Sequence, residues 1–169
     1  DSRRLLYSSS HDDEKGFAIQ EVQTDGTGRR VLAARHSDYL GLLDWSPDGQ
    51  HVLLRMRGQE SAVLLSLADG THRALPTVAN LGGRAAFTPD GHHMIYDRTD
   101  SKTEMTDIHI AGVDGTGDRP LIASPAEEGL VGLSPDGGSL IFTKDGHLWL
   151  AGLAEGSIRT SPRLIKGGV

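Results

Sequence analysis

Apolar positions fall in short runs separated by polar stretches rich in glycine, proline and aspartate. His51-Val52-Leu53-Leu54-Arg55-Met56, His93-Met94-Ile95-Tyr96-Asp97 and Ser139-Leu140-Ile141-Phe142-Thr143 are strand-like: short, apolar, and rich in β-branched or aromatic residues. In a strand Val52 and Leu54 face one way and Leu53 and Arg55 the other, so both faces can find apolar cover when sheets stack. Each run follows a near-identical reversal: Trp45-Ser46-Pro47-Asp48-Gly49, Phe87-Thr88-Pro89-Asp90-Gly91, and Leu133-Ser134-Pro135-Asp136-Gly137. Proline presets φ for the first corner of a type I turn, aspartate suits the second, and glycine takes the left-handed position that closes a bulged three-residue hairpin. The glycines lie 42 and 46 residues apart, a period that belongs to repeat architectures.

A second punctuation sits between the copies. Asp25-Gly26, Asp69-Gly70, Asp114-Gly115 and Glu155-Gly156 recur at steps of 44, 45 and 41 residues, each after an apolar run and before a shorter one. Such pairs predict tight two-residue hairpins in which both residues accept positive φ. One period is therefore strand, Pro-Asp-Gly turn, strand, variable loop, strand, Asp-Gly turn, strand. Four antiparallel strands in that length make one blade of a β-propeller. No stretch predicts a helix; residues 124–129 read as a loop.

These turns resemble those of TolB-type, WD-repeat-like β-propellers, whose blades carry a Ser-Pro-Asp-Gly turn and a later Asp-Gly turn. The resemblance covers essentially the whole chain. It implies an all-β propeller of four-stranded antiparallel blades, about four in number: a partial blade at 1–34 and blades at 41–76, 83–123 and 129–165. The first lacks its Pro-Asp-Gly turn and the strand before it, so the expectation is a portion of a larger propeller, or an oligomeric ring. An arc of blades that does not close exposes two apolar faces and should close, pair or aggregate. The resemblance further implies a non-enzymatic binding, scaffold or sensing module in a bacterial envelope, periplasmic or extracellular. Its alternative is the gating propeller of a serine peptidase related to prolyl oligopeptidases.

Composition narrows the chemistry. The absence of cysteine excludes disulfides and thiolate metal sites, and no run reaches the length of a membrane helix. A formal charge of −6 and a pI near 5.7 oppose nucleic-acid binding. Gly26-Thr27-Gly28 and Gly115-Thr116-Gly117 lead into strands, so they read as turns rather than phosphate cradles. His92-His93 are strand neighbours whose side chains face opposite ways, which disfavours joint metal binding. Ser46, Thr88 and Ser134 occupy one place in three repeats, as turn-capping hydroxyls do and a unique nucleophile does not. The strands before the turns offer Asp44 and Arg84 as their only charges, which argues against a metal in a central channel. No catalytic residue, metal or cofactor is expected.

One distribution remains. In a propeller the loops between second and third strands and between blades emerge on one face. Here they are residues 10–16, 35–40, 58–61, 77–82, 99–106, 124–129 and 144–146, and together they hold the entire formal excess of −6. Variable loops on a rigid scaffold are where binding concentrates. The expected site is thus an acidic loop face, with Asp12, Asp13, Glu14, Asp38, Glu60, Asp100, Glu104, Glu127 and Glu128 meeting a protein or peptide partner, favourably a basic one.

Overall fold

The computed structural model describes residues 3–11, 16–35, 40–56 and 60–165. Among these residues there is no helix, and every strand lies in one of four antiparallel sheets. The first sheet has three strands, β1 (Arg4–His11), β2 (Gly16–Gln23) and β3 (Arg30–Arg35). The second holds β4 (Leu40–Trp45), β5 (His51–Met56), β6 (Ala62–Ser66) and β7 (His72–Leu75) in chain order. The third holds β8 (Leu81–Phe87), β9 (His93–Thr99), β10 (Thr106–Gly112) and β11 (Arg119–Ile122). The fourth holds β12 (Glu128–Leu133), β13 (Ser139–Lys144), β14 (His147–Ala154) and β15 (Ser157–Leu164). These meandering sheets are propeller blades. Leu81 opens β8 earlier than the expected start at 83 because it pairs with Arg98, and Glu128 opens β12 because it pairs with Lys144.

The chain forms two compact units, Asp1–Ala74 and Leu75–Val169. In the first, Ile19, Val52, Leu54, Met56, Val63 and Leu65 make the core, with Leu6, Leu42 and Trp45 packed against it. In the second, Ile95, Ile108, Ile110 and Ile122 of one sheet meet Leu130, Leu140, Phe142, Ala151 and Leu153 of the next. Leu53, on the opposite face of β5 from Val52 and Leu54, is buried as well, so this strand is covered on both sides. Burial of side chains this size stabilises by about 1.5–3 kcal/mol each before conformational entropy is counted.

The Pro-Asp-Gly reversals are built alike. The Gly49, Gly91 and Gly137 amides donate to the carbonyls of Ser46, Thr88 and Ser134, each at 2.8 Å, and the glycines have φ of 70°, 72° and 71°. The Ser46 hydroxyl donates to Asp48 Oδ1 at 2.6 Å and accepts from the His51 amide at 2.8 Å. Thr88 and Ser134 do the same with Asp90 and His93, and with Asp136 and Ser139. Both faces of each hydroxyl are therefore engaged within the turn.

The Asp-Gly turns differ from expectation. Only Gly26, Gly70 and Gly115 are left-handed; Asp25, Asp69 and Asp114 are not. Instead each aspartate Oδ1 accepts the amide and hydroxyl of the threonine two residues on, at 2.7–3.0 Å. That side-chain turn stabilises an ordinary first corner and leaves the positive φ to glycine alone. The two-residue form with both φ positive occurs at Glu155-Gly156, and also at Asp145-Gly146 between β13 and β14.

Candidate functional site

In each four-stranded sheet the antiparallel order puts the second-to-third-strand loop at the end opposite the Pro-Asp-Gly turn. In the unit Leu75–Val169 this end carries a cleft of about 550 Å³. Gly82, Asp97 and Thr106 line it from the third sheet; Glu127, Glu128, Gly129, Thr143, Asp145 and Gly146 line it from the fourth. Glycine at 82 and 129 keeps its walls close: a Cβ there would meet Thr99 Oγ1 at 2.7 Å and Thr143 Oγ1 at 2.8 Å.

Glu128 is the unusual group. The sequence suggested a solvated loop carboxylate; it is instead the first residue of β12, with no exposed surface. Strand pairing with Lys144 carries it inward. Its Oε1 accepts from the Ser124 hydroxyl and lies 3.5 Å from Lys144 Nζ, and that ammonium also donates to Ser124 Oγ at 2.7 Å. Among the described residues its Oε2 accepts from no amide, hydroxyl or ammonium. Burial pushes the carboxyl above its ordinary value, and a side-chain hydrogen bond to the Asp107 carboxyl, which needs a proton on one of the two acids, reinforces the shift, while Ser124 and Lys144 oppose it.

Asp97, which the sequence did not single out, is likewise buried. Its Oδ1 accepts the Leu130 amide at 2.6 Å and its Oδ2 the Arg84 amide at 3.0 Å, so one side chain joins β8, β9 and β12. Burial raises its carboxyl, and the two amides pull it back. The signal in the sequence was a carboxylate closing an apolar strand run, with its partner amide 33 residues away.

The other expected site residues are dispersed. Glu127 is exposed at the cleft, whereas Asp100 and Glu104 lie exposed in the β9–β10 loop. Asp100 accepts the amides of Lys102 and Thr103, each at 2.9 Å, and its carboxyl is lowered by them. Glu60 is exposed before β6 in the unit Asp1–Ala74. Asp12, Asp13, Glu14 and Asp38 lie outside the described residues. The structure thus brings Glu127 and Glu128 together, and adds Asp97, Asp145 and the facing Asp107.

A second polar cluster lies between strands β9, β10 and the turn before β11. Asp118 accepts from the Tyr96 hydroxyl, from Arg98 and, at 2.9 Å, from His109 Nδ1. Burial raises the Tyr96 phenol, and Asp118 adds to the effect; burial pushes Asp118 up as well, but Tyr96, His109 and Arg98 together outweigh it and hold Asp118 low. Each member is bound to another, so the cluster is structural. In the unit Asp1–Ala74, Arg30 pairs with Glu21 at 3.1 Å and Arg29 Nε donates to Gln20 at 2.6 Å. Both arginines are thus tied to side chains of β2. Among the described residues no three histidine, aspartate or glutamate side chains group as a metal site, and no helix is long and apolar enough to cross a membrane.

Four meandering antiparallel sheets give this chain a β-propeller fold of the TolB type. The Tol-Pal system protein TolB of Anaeromyxobacter dehalogenans (strain 2CP-C) is 29% identical over 104 residues, covering 60% of this chain and 23% of that protein. The crystal structure of TolB from Acinetobacter baumannii superposes with a TM-score of 0.68 at 20% identity, over 94% of this chain and 41% of that one. A prolyl endopeptidase structure superposes with a TM-score of 0.69 at 19% identity, over 99% of this chain and 28% of that one. The match thus spans about a quarter of the length of the curated relative. No family model matches.

Proposed function

We propose that this chain is a non-enzymatic propeller binding module that engages a protein or peptide through its acidic loops, in the periplasm of a bacterial envelope. The observation that carries this is the cleft, where Glu127, Glu128, Asp145 and Asp97 converge from two blades while the hydroxyls repeated in every turn are tied up by the turn itself. The likeness to Tol-Pal system proteins supports a binding role and the periplasmic setting. The partner is a protein segment with net positive charge, attracted by the loop charge and held by a few close contacts. Exposed pairs contribute about 0.2–1 kcal/mol each, so more than one contact is needed, and Asp12, Asp13, Glu14, Asp38 and Glu60 are further proposed contacts. Surface plasmon resonance against immobilised basic, neutral and acidic peptides tests this. Basic peptides should bind, weaken with added salt, and lose at least fivefold in affinity when Asp12, Asp13 and Glu127 are reversed to lysine. Affinity indifferent to reversal refutes it.

The likeness to a prolyl endopeptidase supports a second reading, the gating propeller of a serine peptidase. A Gly-x-Ser-x-Gly segment in the same gene, together with cleavage of proline-containing peptides by the full product, would favour it over the first.

A further inference from the structure

Seven aspartates in this chain precede glycine, and the fold treats one of them differently. We infer that Asp145 is a site of spontaneous covalent modification, at which the Asp145-Gly146 linkage rearranges through a cyclic imide to isoaspartate. At Asp25, Asp48, Asp69, Asp90, Asp114 and Asp136 both reacting groups are tied. Each Oδ1 accepts the amide two residues on and a serine or threonine hydroxyl, at 2.5–3.0 Å. Each following glycine amide donates to a carbonyl at 2.8–3.0 Å. Asp145 has neither restraint. It is exposed, among the described residues its carboxylate has no hydrogen-bond or ionic partner, and the Gly146 amide donates to no carbonyl. The cause is local. Asp145 and Gly146 form a two-residue turn with φ of 49° and 73°, which closes through the flanking pair Lys144–His147. Thr143, at the place of the capping hydroxyl in the other turns, donates instead to the Gly129 carbonyl at 3.3 Å.

The chemistry needs only water. With the Asp145 carboxyl protonated, the Gly146 amide nitrogen attacks Cγ. The N–Cγ bond forms, the Cγ–OH bond breaks, and the hydroxyl leaves with the amide proton as one water. Water then opens the five-membered imide at either carbonyl. Opening at Cγ restores aspartate; opening at the main-chain carbonyl routes the backbone through the side chain, as isoaspartate. The water lost in closure returns in opening, so nothing is oxidised or reduced. Glycine adds no side chain to hinder the attack. At the other pairs the attack must first break the glycine amide's hydrogen bond. The turn bonds also hold Asp25, Asp48, Asp69, Asp90 and Asp136 below their ordinary value, which disfavours the reactive neutral acid. Glu155-Gly156 is the internal control: it shares the backbone form, with φ of 49° and 68°, but its imide would need a six-membered ring, which closes more slowly. Isoaspartate adds a backbone carbon to the turn joining β13 to β14, beside the Lys144 that contacts Ser124 and Glu128.

The test keeps the full chain folded at physiological temperature and pH in heavy-oxygen water. Peptides from successive times are then mapped by mass spectrometry with electron-transfer fragmentation, which separates isoaspartyl from aspartyl linkages. Heavy oxygen reports every passage through the imide, including those that return to aspartate. Label and isoaspartate should both accumulate at Asp145 several-fold faster than at any other Asp-Gly pair, with neither at Glu155. The same chain held unfolded in urea has lost its turn bonds, and there the other six pairs should catch up with Asp145. Equal rates at all seven pairs in the folded chain, or a lead at another pair, overturn the inference. A lead at Asp145 that persists in urea overturns it as well, because the site would then follow from neighbouring residues in the sequence and not from the fold.

Discussion

Two kinds of carboxylate coexist here, and water separates them. Asp48, Asp90 and Asp136 sit at the surface and are held below the ordinary 3.8 first by the turn hydroxyl and then by a backbone amide. Asp97 and Glu128 have lost their water and are pushed up. The signs for stability are opposite. A lowered aspartate contributes above its unfolded value, and its contribution disappears as pH falls below 3.8 through the folded value. A raised carboxyl contributes fully below its unfolded value, and its contribution is lost as pH rises through the folded one. Replacing all three turn aspartates with asparagine should flatten the acid limb of the stability profile below about pH 4, read by urea titration at stepped pH. Asp97→Ala should destabilise by about 3 kcal/mol at neutral pH, because the buried Leu130 amide and the partly buried Arg84 amide lose a charged acceptor. A change within 0.5 kcal/mol would show that water replaces that carboxylate.

At the scale of the hairpin, the turns that looked identical in sequence sit in different surroundings. Alanine in the left-handed position costs about 1–2 kcal/mol by itself. At Gly49 the added carbon would have Arg4 and Trp45 side-chain atoms at 3.4 Å and beyond, which is ordinary contact. At Gly137 it would meet the Pro89 ring at 3.0 Å, and a proline ring cannot rotate away. Gly137→Ala should therefore cost more than Gly49→Ala, by thermal unfolding of the two variants side by side; equal losses would mean the turns yield by shifting as a unit. The local geometry of these turns was legible from Ser-Pro-Asp-Gly alone. The Asp-Gly pairs were only half legible, because the following threonine, which lets Asp25, Asp69 and Asp114 form a side-chain turn, changes the corner without altering the glycine.

For the molecule as a whole, each compact unit carries its own core, and in Leu75–Val169 that core is shared by two sheets. Phe142, fully buried between them, is its largest apolar member. Phe142→Ala should cost about 3–5 kcal/mol and speed hydrogen exchange in both β9–β10 and β12–β14. Exchange confined to the fourth sheet would mean the two sheets do not share one cooperative core. The acidic loops gain meaning at this scale too. Glu127 and Glu128 were neighbours in the sequence, yet one remains in solvent at the end of the loop and the other is enclosed, because β12 begins at Glu128 and its pairing with Lys144 draws it into the sheet.

What the chain dictated unaided was what a few consecutive residues set: where it reverses, and that the unit recurs. Proline, aspartate and glycine fix backbone angles within four residues, so their effect needs no distant partner. What only the tertiary structure decided was which charged groups lost their water and what replaced it. Asp97 finds the Leu130 amide 33 positions on, and Glu128 is enclosed by Ser124, Lys144 and a strand of the neighbouring sheet. Desolvation depends on what the other sheet brings, and that arrangement is fixed by packing across sheets rather than by local backbone preference.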